Sequence, residues 1–156
     1  VDEVDKISGG LATTLVTSEM LDGLDAVAEL PCHFQAYIAK QYELRITIIA
    51  DQIFAARINS QEDTRTSVDC RDMSAEITYK AIELPEAFKQ SCRDFISSYN
   101  LNYSALDFIV TPENEYVFLE NNPNGQFLYV EQLIPEFKML EAVADSLIKE
   151  TTCRSQ

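Results

Sequence analysis

Residues 43–58, ELRITIIADQIFAARI, alternate on two arms around Asp51-Gln52, with Leu44, Ile46 and Ile48 on one face of the first arm and Arg45, Thr47 and Ile49 on the other. A period of two cannot be the apolar stripe of a helix. Two such runs joined by a short polar turn read as a β-hairpin, and the rest of the chain must fold around a sheet that contains it. A second hairpin is expected downstream, with Ala105 to Thr111 as one arm, Pro112-Glu113-Asn114-Glu115 as the turn, and Tyr116 to Glu120 returning. Ile77 to Leu84 is a further strand, and Phe34 to Ile38 a short strand candidate. Ser18 reads as an N-cap opening a helix to about Leu30, where Pro31 stops it. Pro85 opens a second helix, whose Phe88, Cys92, Phe95, Ile96 and Tyr99 recur at helical spacing. Leu140, Val143, Ala144, Leu147 and Ile148 mark a last amphipathic helix. Residues 59–76 are polar and read as a long, mobile loop. The order predicts an α+β fold, a mainly antiparallel sheet with flanking helices.

Composition narrows the function. The chain has 26 acidic against 12 basic residues, a formal net charge of −14. Phosphate backbones and anionic membrane surfaces need a basic face, so neither nucleic acid nor membrane is expected as a partner. An acidic protein can still hold a nucleotide when a metal ion screens the phosphates. The four cysteines, Cys32, Cys70, Cys92 and Cys153, form no CxxC pair. No signal peptide or membrane-length apolar run is present, and a reduced cytoplasm is the simplest setting. The four glycines, Gly9, Gly10, Gly23 and Gly125, form neither a Walker loop nor a dinucleotide fingerprint. With His33 the only histidine and no GxSxG elbow, a hydrolytic triad is disfavoured.

The chemistry concentrates in residues 105–130, ALDFIVTPENEYVFLENNPNGQFLYV. Asp107 lies inside an apolar strand, where a charge seldom enters without a partner. Glu120 and Asn122 are two apart on the returning arm and project together. A turn at Pro112 to Glu115 folds them back toward Asp107. Three oxygen-bearing side chains then converge, a donor set that suits magnesium or manganese and leaves positions for water and phosphate oxygens. The bland reading of the same residues is a hairpin with solvated acids. Arg45 on its apolar strand could likewise simply pair with a nearby acid.

The stretch LDFIVTPENEYVFLENNPNGQF resembles the metal-binding hairpin of ATP-grasp enzymes, in particular the ribosomal-peptide maturases that make microviridin-type (graspetide) macrocycles, and related RimK-like ligases. FQAYIAKQYELRITIIADQIFAARINSQ resembles that family's run from the adenine hinge into its Arg-bearing strand. Asp69-Cys70-Arg71 stands where the family often has Asp-Trp-Arg. The resemblance implies an ATP-dependent carboxylate–amine or carboxylate–alcohol ligase that works through an acyl phosphate and macrocyclises a precursor peptide. It implies ATP and magnesium (or manganese) as cofactors, with Asp107, Glu120 and Asn122 holding the metal. Arg45 would face the phosphates and the acyl phosphate as the catalytic arginine. Ala36, Tyr37 and Ile38 would form the adenine hinge, flanked by Gln35, and Glu43 would accept from ribose hydroxyls. Lys6, before Ser8-Gly9-Gly10, would be the phosphate-binding lysine. Asn124 and Arg71 would lie near the reacting end. On the same resemblance, residues 1–156 are the C-terminal part of an ATP-grasp domain, without the family's N-terminal half. A homodimer is a possible assembly, which the sequence does not decide. The alternative is a non-catalytic module that keeps a nucleotide or peptide site, or a purely structural domain.

Overall fold

The computed structural model describes residues 13–29, 32–72 and 74–153. A short helix α1 (Ser18–Leu21) and a 3-10 turn (Leu24–Ala28) lead into β1 (Tyr42–Ile49) and β2 (Gln52–Ile58). Then follow β3 (Tyr79–Ala81), α2 (Glu86–Ser98), β4 (Tyr103–Val110), β5 (Tyr116–Asn122), α3 (Leu128–Leu133) and α4 (Met139–Cys153). The strands form one antiparallel sheet in the order β3-β2-β1-β4-β5. The expected α+β class is the observed one.

Directly opposed residues in an antiparallel ladder share a face, so the register sorts the side chains. Leu44, Ile46 and Ile48 meet Leu106 and Phe108 on one face, where Leu84, Cys92 and Ile96 close over them. Full burial of side chains of this kind contributes about 1.5–3 kcal/mol each. Phe88 sits edge-on to Phe108 at 5.1 Å and stacks on Tyr116 at 4.0 Å, so the apolar stripe of α2 lies along the β4–β5 hairpin. Asn100 then takes a left-handed φ of 54° and ends the helix. The Leu101 amide donates to Ile96 O at 3.1 Å and the Asn100 amide to Ser97 O at 2.9 Å, the two bonds of a Schellman motif.

The opposite face is divided. At one end Ile49 and Ala56 pack with Val130, Ile134, Phe137, Met139 and Ala142, so α3 and the start of α4 cover it. Glu43, Arg45 and Asp107 occupy the same face beyond that cover.

Several expectations change against this frame. The first helix stops at Leu21, because Gly23 is a poor helix residue and the chain tightens into a 3-10 turn. Its N-cap is Thr17, whose Oγ1 accepts from the Met20 amide at 3.4 Å. Phe34 to Ile38 pairs with no strand; Phe34 to Tyr37 are exposed and Ile38 is half-buried. The strand expected over 77–84 has only three ladder residues at the sheet edge. In α4 the inward residues are Met139, Ala142 and Val143, whereas Leu140, Leu147 and Ile148 point outward. The stretch 59–76 has no strand or long helix but is tied by polar bonds: Thr66 Oγ1 donates to Ser60 O at 2.8 Å, and Ser60 and Thr66 are fully buried.

Candidate functional site

β1 places Glu43 and Arg45 on the divided face by its period of two. Arg45 lies directly opposite Asp107 of β4, and Asp107 directly opposite Glu120 of β5. The second pairing depends on an irregularity. Phe108 opposes Phe118 and Asp107 opposes Glu120, so Leu119 is an extra residue with no partner. This bulge resets the alternation of β5. Phe118 faces α2, with its ring 5.3 Å from Phe95, while Glu120, two residues on, joins Asp107 on the other face. A regular strand would have put Phe118 and Glu120 on one side.

The polar groups are bonded to one another. Arg45 Nη1 donates to Asp107 Oδ2 at 2.6 Å, and Arg45 Nη2 to Gln126 O at 3.4 Å. Asn122 Nδ2 donates to Asp107 Oδ2 at 2.8 Å and to Glu120 Oε1 at 2.9 Å. One amide thus bridges two carboxylates. Burial pushes the Asp107 carboxyl above its ordinary range; Arg45 opposes that shift and neighbouring Glu120 adds to it. Burial works against the Arg45 charge, but Asp107 overrides it and the guanidinium stays above its ordinary value. The two partners therefore differ in what the contact does for them. The arginine is held charged, whereas the half-buried carboxylate faces a second acid, Glu120, that works against its charge.

A divalent cation would favour both charges. The donors are two carboxylates and one amide, all hard oxygen ligands once the Asn122 side chain turns its Oδ1 inward, and they fit magnesium or manganese. Among the described residues no group of three or more His, Cys, Asp or Glu side chains converges, and this set has only two acids beside its amide.

The other expected residues fall at different distances from this cluster. Glu43 is buried and accepts from Lys40 Nζ at 2.6 Å, and Lys40 also donates to Val68 O at 2.9 Å. Cys70 lies against Glu43, and burial, reinforced by that acid, pushes its thiol up to about 12. Gln35, Ala36 and Tyr37 are exposed and Ile38 is half-buried on the unpaired segment before β1. Arg71 forks onto Asp69 through Nε at 2.8 Å and Nη2 at 2.6 Å, with Glu120 near enough to favour its charge further. Asn124 is exposed in the turn after β5. Lys6 lies outside the described residues. Sequence reasoning missed Lys40, Tyr103 and Gly125. Only Lys40 carried a local signal, three positions before Glu43.

No protein-family model and no curated protein sequence matches the chain. Solved structures do. The macrocyclase MdnC bound with precursor peptide MdnA, from Microcystis aeruginosa MRC, is 38% identical over 86% of this chain and 41% of its own, with a TM-score of 0.74. A RiPP-associated ATP-grasp ligase of Chryseobacterium gregarium, in complex with ADP and a leader and core peptide, is 30% identical over 94% of this chain and 44% of its own, with a TM-score of 0.82. The ATP-grasp ligase PsnB, complexed with a precursor variant, Mg and ADP, shares the fold at 23% identity and a TM-score of 0.73, over 92% of this chain and 44% of its own. The present chain spans less than half the length of each.

Proposed function

We infer that this chain, whose fold is that of the RiPP-associated ATP-grasp ligases, is the C-terminal part of such a ligase and binds ATP with a divalent cation to activate a carboxylate of a precursor peptide. The observation that carries the reading is the bonded cluster of Asp107, Glu120, Asn122 and Arg45 on the uncovered end of one sheet face. Asp107, Glu120 and Asn122 would hold magnesium, which neutralises phosphate charge and draws the nucleotide to the sheet. Arg45 projects from the same face and offers a planar fork to phosphoryl oxygens as charge develops. Glu43, fixed by buried Lys40, is placed to accept from ribose hydroxyls. The unpaired backbone of Gln35 to Ile38 is available to an adenine edge. Lys6 is assigned to the phosphates on resemblance alone.

In the reaction, a side-chain carboxylate of the peptide attacks the terminal phosphorus and ADP leaves. An amine or hydroxyl of the same peptide then displaces phosphate, giving an amide or ester ring and the net loss of one water per ring. The chain's own part is to orient and to neutralise charge, so geometry carries most of the catalysis. ADP and peptide in the Chryseobacterium ligase, and the precursor bound to MdnC, support the substrate class.

The outward Leu140, Leu147 and Ile148 of α4 support a homodimer. The net charge of −14 supports partners that are neither nucleic acid nor membrane, and no helix among the described residues is long and apolar enough to cross a bilayer. The scattered thiols support a cytoplasmic setting.

The test is titration with ATP, with and without magnesium, followed by mass spectrometry of a candidate precursor incubated with both, on this chain and on a version extended at its N-terminus. Magnesium-dependent binding with stepwise dehydration supports the ligase. Magnesium-dependent binding without dehydration in either version favours the alternative, a nucleotide- or peptide-binding module. Equal ATP affinity in the presence of a chelator sinks the metal assignment.

A further inference from the structure

Arg45 is a long side chain, and one ion pair does not fix where its guanidinium points. The turn after β5 closes on it from the other side. The Gly125 amide donates to Asn122 O at 3.0 Å, and the next carbonyl, Gln126 O, takes the Arg45 Nη2 bond. A Cβ at Gly125 would lie 2.9 Å from Arg45 Nη2, 3.0 Å from Ala105 Cβ and 3.1 Å from Asn122 Cβ. No described glycine has a left-handed φ, so position 125 needs glycine for space and not for backbone freedom. Ala105 is fully buried in β4 and cannot yield. Any side chain at 125 must therefore push back the turn or the guanidinium.

The turn is also pinned from the sheet. The Tyr103 hydroxyl donates to Gly125 O, and its ring packs against Phe127 at 6.0 Å. Tyr103 is two residues before Ala105 on β4 and shares its face. The guanidinium is thus bounded by the Asp107 carboxylate, the Gln126 carbonyl and the bare Cα of Gly125, and the last two are held in place by one tyrosine.

Building on the reading that Arg45 meets a phosphate, we propose that Gly125 and Tyr103 are positioning residues that set the direction of the Arg45 guanidinium. They touch neither nucleotide nor peptide and act through Arg45. The proposal makes the glycine of the amide-rich turn part of the phosphate machinery by omission of a side chain.

The experiment combines nitrogen-15 NMR of the arginine Nε–H groups with magnesium–ATP titrations of the 156-residue chain. Gly125→Ala should shift the Arg45 Nε–H resonance before any nucleotide is added. It should weaken magnesium–ATP binding about tenfold, and Tyr103→Phe about three- to tenfold, the scale of one ordinary hydrogen bond. In an Arg45→Ala background each change should cost less than about twofold, because coupling vanishes when the residue acted upon is gone. Losses of equal size in both backgrounds, or an Arg45 resonance unmoved by Gly125→Ala, would overturn the proposal. Should Gly125→Ala fail to fold, Tyr103→Phe removes one oxygen, adds no volume and carries the same test. If the wild-type chain binds no nucleotide, the ATP reading fails, while the resonance comparison still decides whether Gly125 and Tyr103 place Arg45.

Discussion

The two faces of the β4–β5 hairpin solve opposite problems with neighbouring residues. On one face Phe108 and Phe118 sit 5.5 Å apart under α2, with Phe88 and Phe95 closing over them. On the other, one residue along β4 and two along β5, Asp107 and Glu120 oppose each other, with an amide and one guanidinium bonded to the pair. The first face is stabilised by water it excludes. The second keeps two acids close together, and the raised Asp107 carboxyl shows that the arrangement works against its charge in the native state. A single unpaired residue, Leu119, separates the two regimes by turning the strand over between Phe118 and Glu120. The difference teaches that the covered face holds the fold while the uncovered face carries the proposed site, and that mutations on each should separate stability from ligand response.

The largest expected effect breaks the covered face. Phe108→Ala should lower unfolding free energy by about 3–5 kcal/mol in urea, since it empties space between the rings of Phe88 and Phe118. Magnesium–ATP affinity of the folded fraction should stay within about twofold, because Phe108 points to the opposite face of β4 from Asp107. A large loss of affinity at equal folding would show that the two faces are coupled. Next in size, Arg45→Ala should cost about 1.5–3 kcal/mol, the value of a hydrogen bond to a charged group, by leaving half-buried Asp107 beside Glu120 without a cation. The native state already raises the Asp107 pKa above its unfolded value of 3.8, and loss of Arg45 raises it further. A raised carboxyl takes stability away as pH rises through the folded pKa and takes none below 3.8. The deficit of Arg45→Ala in urea midpoint should therefore be largest at neutral pH and shrink toward acid. A deficit that does not change with pH would remove Asp107 as its cause.

The covered face was legible because burial leaves a period in the sequence. Leu44, Ile46 and Ile48 alternate, and Phe88, Cys92, Phe95 and Ile96 recur along a helix. The acids of the site were legible by type and spacing, and the hairpin does pair Asp107 with Glu120. The bulge that makes this compatible with Phe118 under α2 was not, since an inserted Leu119 looks like any other strand residue. The partnership of Tyr103 with Gly125 requires knowing that a loop folds back over β4, which no local pattern encodes. The α4 stripe misled for a related reason. Leu140, Leu147 and Ile148 have the spacing of a buried face, but the sheet offers α4 only its first turns, and Met139 and Ala142 take that place. The segment Phe34 to Ile38 is apolar without being a strand, because apolar content does not supply a neighbour to pair with.

A smaller effect concerns the edge of the uncovered face. Asp69 is gripped by Arg71 and accepts the Thr13 amide at 2.8 Å, tying the N-terminal segment to the loop beside Glu43. The Arg71 guanidinium holds the Asp69 carboxyl well below the usual carboxylate range. A depressed carboxyl contributes stability in full above its unfolded value of 3.8 and loses it as pH falls through the lower folded value. Because Arg71 is two-thirds exposed, solvent screening limits the pair to about 1 kcal/mol or less. Asp69→Asn should accelerate hydrogen exchange at the Thr13 amide at neutral pH, with a global urea midpoint near wild type. An unchanged exchange rate would mean that Asp69 does not latch this segment.

The smallest effect on stability should accompany the sharpest effect on ligand response. Glu120 is exposed, and its one bond in the cluster is to the Asn122 amide. Glu120→Gln keeps the shape and an acceptor for that amide while removing one of two negative charges. Stability should change by less than about 0.5 kcal/mol, as for surface substitutions away from special features. The sign should be favourable, because Glu120 raises the carboxyl of Asp107 and thus works against it in the native state. Magnesium should nonetheless lose most of its power to tighten ATP binding, since a hard cation prefers charged oxygen to an amide oxygen and only Asp107 would remain. Calorimetric titration with magnesium and with chelator measures the ratio directly. A stabilised variant with a collapsed magnesium ratio would show that the acids on the uncovered face oppose folding and serve the cation. A variant that keeps the full ratio would return Glu120 to the solvated edge of an ordinary hairpin and leave Asp107 paired with Arg45 alone.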